Sequence, residues 1–131
     1  MKLLALETAT EACSVALLSR DDAGELTIVA RRQHAPRQQT QLILPMVDAV
    51  LAEAGASLHD LDAIAYSCGP GAFTGVRIAA AVAQGLALGA ELPVVAVSSL
   101  RALAQSAWRP RQLEVVAASL DARLQEIYLG L

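Results

Sequence analysis

Short apolar blocks separated by turn-forming residues open the chain. Lys2–Thr8 and Ala12–Leu18 are joined only by Ala9-Thr10-Glu11, which predicts two strands paired as a hairpin. Asp21-Asp22-Ala23-Gly24 has the composition of a turn, and Glu25–Arg32 after it predicts a third strand. The pattern therefore predicts a meander of three antiparallel strands.

Helical and strand patterns alternate after the meander. Helices are predicted over Gln38–Ala54, from Thr74 to Gly89, and from Ser98-Ser99 to about Trp108; strands are predicted over Leu61–Ser67 and Pro93–Val97. Pro45 interrupts the first helical pattern, so that helix is expected to begin or bend near it. Continuous apolar runs are typical of parallel strands covered on both faces. The order β-β-β-α-β-α-β-α predicts an α/β fold of the ribonuclease-H-like type found in the actin-like ATPase (ASKHA) superfamily.

The last part of the chain predicts a second, unfinished domain. Arg109-Pro110-Arg111 replaces the helical pattern with proline and charge, which indicates a domain boundary. Leu113–Leu120 and Glu126–Leu131 then predict two strands. We therefore expect a first domain over residues 1–109 and the first two strands of an incomplete second domain over 110–131. The chain is expected to be a truncated form.

Composition narrows the functional classes. The 131 residues are 55% hydrophobic and 3% aromatic and carry a net charge of −3, with no run of Lys or Arg. Phosphate neutralisation needs a basic patch, so this chain is not expected to bind nucleic acid alone. Arg77, Gln84 and Glu91 interrupt the longest apolar stretch, which argues against a membrane helix. Cys13 and Cys68 lack metal-binding spacing and are expected to be buried, reduced thiols in a cytoplasmic protein.

A glycine-rich segment follows the fourth predicted strand. In Gly69-Pro70-Gly71-Ala72, here called the glycine loop, the glycines permit backbone angles that other residues avoid. Thr74 is expected to cap the following helix. Such a loop suits either a phosphate group or a tight turn in which the glycines allow close packing. The absence of a P-loop lysine favours the tight turn.

The other candidate side chains do not indicate catalysis by this chain alone. Glu7 ends the first strand beside a turn without glycine, and a hydrogen-bonded carboxylate is the favoured interpretation over a water-mediated metal ligand. His34 and His59 have no partner at helical spacing, so no metal site is predicted. Asp121 and Arg123 could serve as an acid and an anion clamp, but a turn ion pair or a backbone hydrogen bond is favoured. No catalytic residue is predicted.

The helix predicted from Thr74 to Gly89 has almost no polar side. A helix that covers one face of a sheet normally keeps a polar face, so spare apolar surface indicates a further contact. The Gln38–Ala54 helix is apolar on two sides as well. The favoured interpretation is a partner protein that packs against these two helices; the alternative is that further chain covers them.

Four ordered segments resemble the bacterial TsaB (YeaZ) family. They span nearly the whole chain: Leu3–Leu17, Gln39–Met46, Gly69–Ile78, and Asp121-Ala122-Arg123 with Glu126-Ile127-Tyr128. The resemblance implies an accessory subunit in the synthesis of threonylcarbamoyladenosine on tRNA. Its paralogue TsaD would carry out the transfer, TsaE would supply an ATPase, and tRNA would be contacted only through the complex.

The resemblance also implies which surface pairs. TsaB proteins pair with TsaD, or with themselves as a homodimer, through their first two helices. The residues expected at that interface are Leu42, Pro45, Met46, Ala49, Arg77, Ile78, Ala81, Val82 and Gly85. No cofactor is expected on the isolated chain, whereas ATP or ADP could lie at the complex interface with Gly69, Pro70 and Gly71 as one wall. The alternative function is an independent nucleotide hydrolase or a metalloprotease-like enzyme of the same superfamily.

Overall fold

The computed structural model describes all residues, 1–131, and contains two sheets and three α-helices. The elements are β1 (Lys2–Glu7), β2 (Ala12–Arg20), β3 (Leu26–His34), α1 (Gln39–Glu53), a short 3-10 helix (Leu58–Asp60), β4 (Ala63–Ser67), α2 (Phe73–Ala90), β5 (Val94–Val97), α3 (Ser99–Arg111), β6 (Ala118–Arg123) and β7 (Glu126–Gly130).

The first five strands form one mixed sheet in the order β3-β2-β1-β4-β5. The β1–β2 and β2–β3 pairs are antiparallel, and the β1–β4 and β4–β5 pairs are parallel. This is the meander followed by parallel crossovers that the hydrophobic pattern predicted, so the ribonuclease-H-like layout is confirmed.

One face of the sheet and helices α1 and α2 enclose the core. Alternate strand residues such as Leu4, Leu6 and Val15 point to this side and are buried, because successive side chains of a strand face opposite ways. Helix α1 contributes Ile43, Val47 and Val50 to the same cluster. The fully buried residues that helix α2 contributes are alanines, Ala83 and Ala87, so its backbone lies close to the sheet, and its larger apolar residues pack at the edge of the cluster.

Helix α1 does not begin at Pro45, which lies inside a helix that starts at Gln39. Proline removes one backbone donor in the helix interior. Burial of the apolar stripe on the sheet fixes the helix on both sides of that lost bond. Packing against the sheet therefore determines that the helix continues through Pro45.

Helix α3 and the terminal hairpin depart from the predicted boundaries. Helix α3 continues past Trp108 to Arg111, with Pro110 in its last turn, and the predicted boundary at 109/110 therefore falls inside a helix. The C-cap of the helix is Gln112, which adopts the left-handed conformation. The Gln112 amide donates to the Trp108 carbonyl at 2.7 Å. Strand β6 begins at Ala118 rather than Leu113, because its pairing with β7 starts at Ala118 opposite Gly130.

Helix α2 is long and apolar enough to cross a membrane by length and composition alone, which the interrupted sequence pattern did not predict. One such helix is weak evidence, because a helix that packs against a core passes the same test. Here the sheet covers one side of α2 through Gly75, Ala79, Ala83 and Ala87, which are its only buried residues.

The opposite face of the sheet carries α3 and a shallow cleft of about 330 Å³. Its lining combines small residues such as Ala5 and Ala16 with larger side chains such as Tyr66 and Arg32. Helix α3 is fixed at the end of the cleft by a 2.7 Å hydrogen bond between the Ser67 and Ser99 hydroxyls, both of which are buried. Helices α1 and α2 therefore pack on one face of the sheet, whereas α3 is attached at the end of the other face and packs mainly on the β6–β7 hairpin.

Candidate functional site

The glycine loop leaves the end of β4 and leads directly into α2. The Cys68 amide donates to the Val97 carbonyl at 2.9 Å, and the Ser99 amide donates to the Gly69 carbonyl at 2.9 Å. Gly69 has a φ of 94°, in the left-handed region that favours glycine, and the Gly69–Pro70 peptide bond is cis. These bonds attach the first half of the loop to β5 and to the start of α3.

The second half of the loop packs against the turn between β1 and β2. The Ala72 amide donates to the Ala9 carbonyl at 2.7 Å, and the buried Thr8 hydroxyl donates to the Gly75 carbonyl at 2.6 Å. The Gln39 side-chain amide donates to the Thr10 carbonyl at 3.0 Å. Thr8, Ala9 and Thr10 therefore bind the glycine loop and the first turns of both α1 and α2 through hydrogen bonds.

Two glycines make this close approach feasible. A Cβ atom at Gly71 would lie 2.5 Å from the Ala9 carbonyl oxygen, and one at Gly75 would overlap the Thr8 carbonyl oxygen. The chain has no room for either methyl group without moving backbone. The interpretation of the loop as a tight packing turn therefore agrees with its contacts in the structure.

The predicted capping role of Thr74 is wrong. Helix α2 starts at Phe73 with Ala72 at the N-cap, and no side chain accepts a hydrogen bond from its first amides. The helix thus starts two residues earlier than a Thr74 cap would require, where the Ala72 amide donates to the Ala9 carbonyl of the β1–β2 turn.

Glu7 and Asp121 form the local backbone hydrogen bonds that were favoured over metal-binding or acid–base roles. The Glu7 carboxylate accepts from the Ala9 amide, and Asp121 accepts from the Arg123 amide at 2.7 Å. His34 is exposed, with Glu11 as its nearest acid at 3.9 Å. No cluster of three His, Cys, Asp or Glu residues has the geometry of a metal site. Cys13 is buried as predicted, but Cys68 is exposed at the end of β4, so that part of the prediction is wrong.

The residues predicted for a partner interface occupy different depths. Pro45 and Ala49 on α1 and Arg77, Ala81 and Gly85 on α2 are exposed. Leu42, Ile78 and Val82 are half-buried and pack against the core. Met46 is only 9% exposed and belongs to the core. The exposed members lie on the sides of α1 and α2 that face away from the sheet.

Three exposed apolar residues extend this surface beyond the predicted set. Phe73 is 73% exposed and Leu88 is 83% exposed on α2, and Leu44 is exposed on α1. The Arg77 guanidinium lies over the Phe73 ring, 3.5 Å from its centroid. The helical spacing of Phe73 and Arg77, four residues apart, was available in the sequence as a signal. We call Leu44, Pro45, Ala49, Phe73, Arg77, Ala81, Gly85 and Leu88 the outer face.

Comparison with known proteins assigns the chain to a family. Residues 28–131 match the family model described as "TsaD: tRNA N6-adenosine threonylcarbamoyltransferase". The chain is 51% identical over 130 residues to the tRNA threonylcarbamoyladenosine biosynthesis protein TsaB of Haemophilus influenzae, covering 99% of this chain and 53% of that protein. It is 52% identical over 128 residues to TsaB of Escherichia coli, covering 98% of this chain and 53% of that protein. The chain belongs to the TsaB (YeaZ) family.

Solved structures support the same assignment. YeaZ from Pseudomonas aeruginosa aligns with a TM-score of 0.88 and 53% identity, over 98% of this chain and 58% of that one. The RuvC structure from Thermus thermophilus aligns with a TM-score of 0.50 at 14% identity, over 95% of this chain and 87% of that one, which shows similarity of fold alone. The chain spans about half the length of the curated TsaB relatives that it matches.

Proposed function

We propose that this TsaB-family chain is a non-catalytic accessory subunit that binds a TsaD-family protein and activates it for threonylcarbamoyladenosine synthesis on tRNA. The proposed contact is the outer face of α1 and α2. The observation that carries the proposal is that most of the exposed residues of α2 are apolar, with only Thr74, Arg77 and Gln84 polar among them, while Gly75 and three alanines already occupy its sheet side. Family membership supports a role in threonylcarbamoyladenosine synthesis. The exposed outer face supports action through contact with a partner protein.

The shape of the outer face suits helix-to-helix packing. Ala81 and Gly85 lie between the larger side chains of Phe73 and Leu88, and a Cβ atom at Gly85 would meet nothing within 4 Å. Small exposed residues on a helix allow a second helix to approach closely. Exposed apolar surface of this kind is typical of interaction sites.

The outer face is also the proposed site of self-pairing and of complex assembly. Alone, the chain pairs with a second copy through the outer face; in the complex, the TsaD-family protein takes that position. A TsaE-like ATPase joins the complex, tRNA is contacted through the complex, and ATP or ADP binds only where Gly69, Pro70 and Gly71 meet the partner. The assembly operates in the cytoplasm, without a membrane.

A charge on the outer face tests the accessory role. Ala81→Asp places a carboxylate at an exposed position outside the core, so the fold should persist while the partner contact is lost. In a reaction reconstituted with the TsaD-family protein, the TsaE-like ATPase and tRNA, we expect loss of the modification that depends on this chain. Gln105→Asp adds the same charge on α3, on the other face of the sheet, and should leave modification unchanged. Full modification with a folded Ala81→Asp variant would contradict the proposal.

A further inference from the structure

Arg77 on the outer face has an unused pair of hydrogen-bond donors. Its Nη1 donates to the Phe73 carbonyl at 3.0 Å, and the guanidinium carbon lies over the Phe73 ring, 3.5 Å from its centroid. No hydrogen bond from Nε or Nη2 is formed within the chain, and Arg77 has no carboxylate within ion-pair distance. The Nε and Nη2 donors of Arg77 are therefore available to a partner, while the guanidinium contacts the Phe73 ring.

The stack with Phe73 determines what these donors can recognise. A guanidinium that is already ordered loses less side-chain entropy when it binds. The Nε–Nη2 edge presents two parallel N–H donors that match the two oxygens of a carboxylate. The ring beside it is 73% exposed and offers apolar contact to the carbons of the same residue. Phe73 and Arg77 thus form one composite anchor for an acidic side chain.

The charges around the anchor favour a carboxylate. Helix α2 contains no Asp or Glu, and its N-terminal end has no acidic residue in the first turn. The helix dipole adds partial positive charge at the same end. The chain as a whole carries a charge of −3 and no basic run, so a single arginine here is a poor match for an RNA backbone, which requires several cations.

We infer that Phe73 and Arg77 anchor the partner by binding an Asp or Glu side chain that the TsaD-family protein presents at the N-terminal end of α2. This inference rests on the proposed accessory function and adds the chemistry of the partner residue. Arginine and aromatic side chains are enriched among residues that dominate interface energetics.

The test is a titration of the TsaD-family protein into Arg77→Gln, Arg77→Lys and Phe73→Leu variants at low and moderate salt. Arg77→Gln removes the charge and leaves a shorter polar side chain, and we expect affinity to fall by about thirty-fold or more, with a weaker dependence on salt. Arg77→Lys restores the charge without the planar edge and should recover only part of the affinity. Phe73→Leu keeps apolar volume and should weaken binding because the guanidinium is no longer held.

Ala81→Asp in the same titration separates this inference from the proposed function. If Ala81→Asp abolishes binding and Arg77→Gln binds as the wild type does, the anchor is overturned while the accessory role stands. If neither variant changes binding, the outer face is not the interface and both proposals fail. If Arg77→Gln weakens binding of tRNA but not of the protein partner, the anchor is overturned in favour of a phosphate contact.

Discussion

Two glycines that look alike in the sequence have different roles in the structure. Gly75 lies against the Thr8 carbonyl, whereas Gly89 near the end of α2 has nothing within 4 Å of its missing Cβ atom. The sequence indicated a glycine-rich turn but could not assign which glycines are essential. That distinction depends on contact with the β1–β2 turn, which lies more than sixty residues earlier in the chain.

The pair Gly75→Ala and Gly89→Ala measures this difference. Gly75→Ala forces backbone apart and should lower the free energy of unfolding by about 3 kcal/mol or more. Gly89→Ala removes a flexible residue from a helix without a clash and should raise it by about 0.5–1 kcal/mol. Urea denaturation of both variants provides the comparison. Equal effects at the two positions would contradict the packing role of Gly75.

The two cysteines should differ in reactivity. Burial raises the pKa of the Cys13 thiol above its ordinary value, so the reactive thiolate is scarce at neutral pH and the sulfur is also shielded. Cys68 is exposed. A chromogenic disulfide reagent should therefore label one thiol rapidly in the native chain and both after unfolding. Cys68→Ser should remove the rapid phase; two equally fast thiols in the wild type would contradict the structure.

At the scale of elements, periodicity predicted every helix and strand but not their ends. The core stripe of α1 follows from helical spacing, the strands β1, β2 and β4 follow from short apolar blocks between turn residues, and their burial confirms them. Helix α3 runs through Pro110 and β6 starts late because their ends depend on a cap and on a pairing register. Neither is encoded in the hydrophobic pattern of the segment itself.

The β6–β7 hairpin turns through residues with unfavourable backbone angles. Leu124 and Gln125 both have positive φ, 53° and 65°, where asparagine and glycine are preferred in two-residue turns. The double substitution Leu124→Asn and Gln125→Gly should stabilise the hairpin by about 1 kcal/mol, seen as slower amide exchange in β6 and β7. Leu131→Asn, at an exposed position outside the hairpin, should have no effect. Faster exchange in the double variant would contradict the prediction.

At the scale of the whole molecule, the outer face was predictable in part. Helical spacing and the excess of alanine indicated that α1 and α2 have more apolar surface than a single sheet can cover. The sequence placed Met46 on that surface, where the structure places it in the core, and it did not single out Phe73 or Leu88. Which side of a helix faces a sheet depends on the rotation of the helix, which a uniformly apolar sequence leaves open.

The central claim is that the outer face binds the TsaD-family protein, and site-specific labelling tests it most directly. On a Cys68→Ser background, one cysteine is introduced as Gly85→Cys on the outer face or as Gln105→Cys on α3, and its rate of reaction with a maleimide is measured with and without the partner. We predict that the partner protects position 85 at least about ten-fold and leaves position 105 unchanged, because an interface core excludes solvent. Protection at position 105 with none at position 85 would contradict the claim.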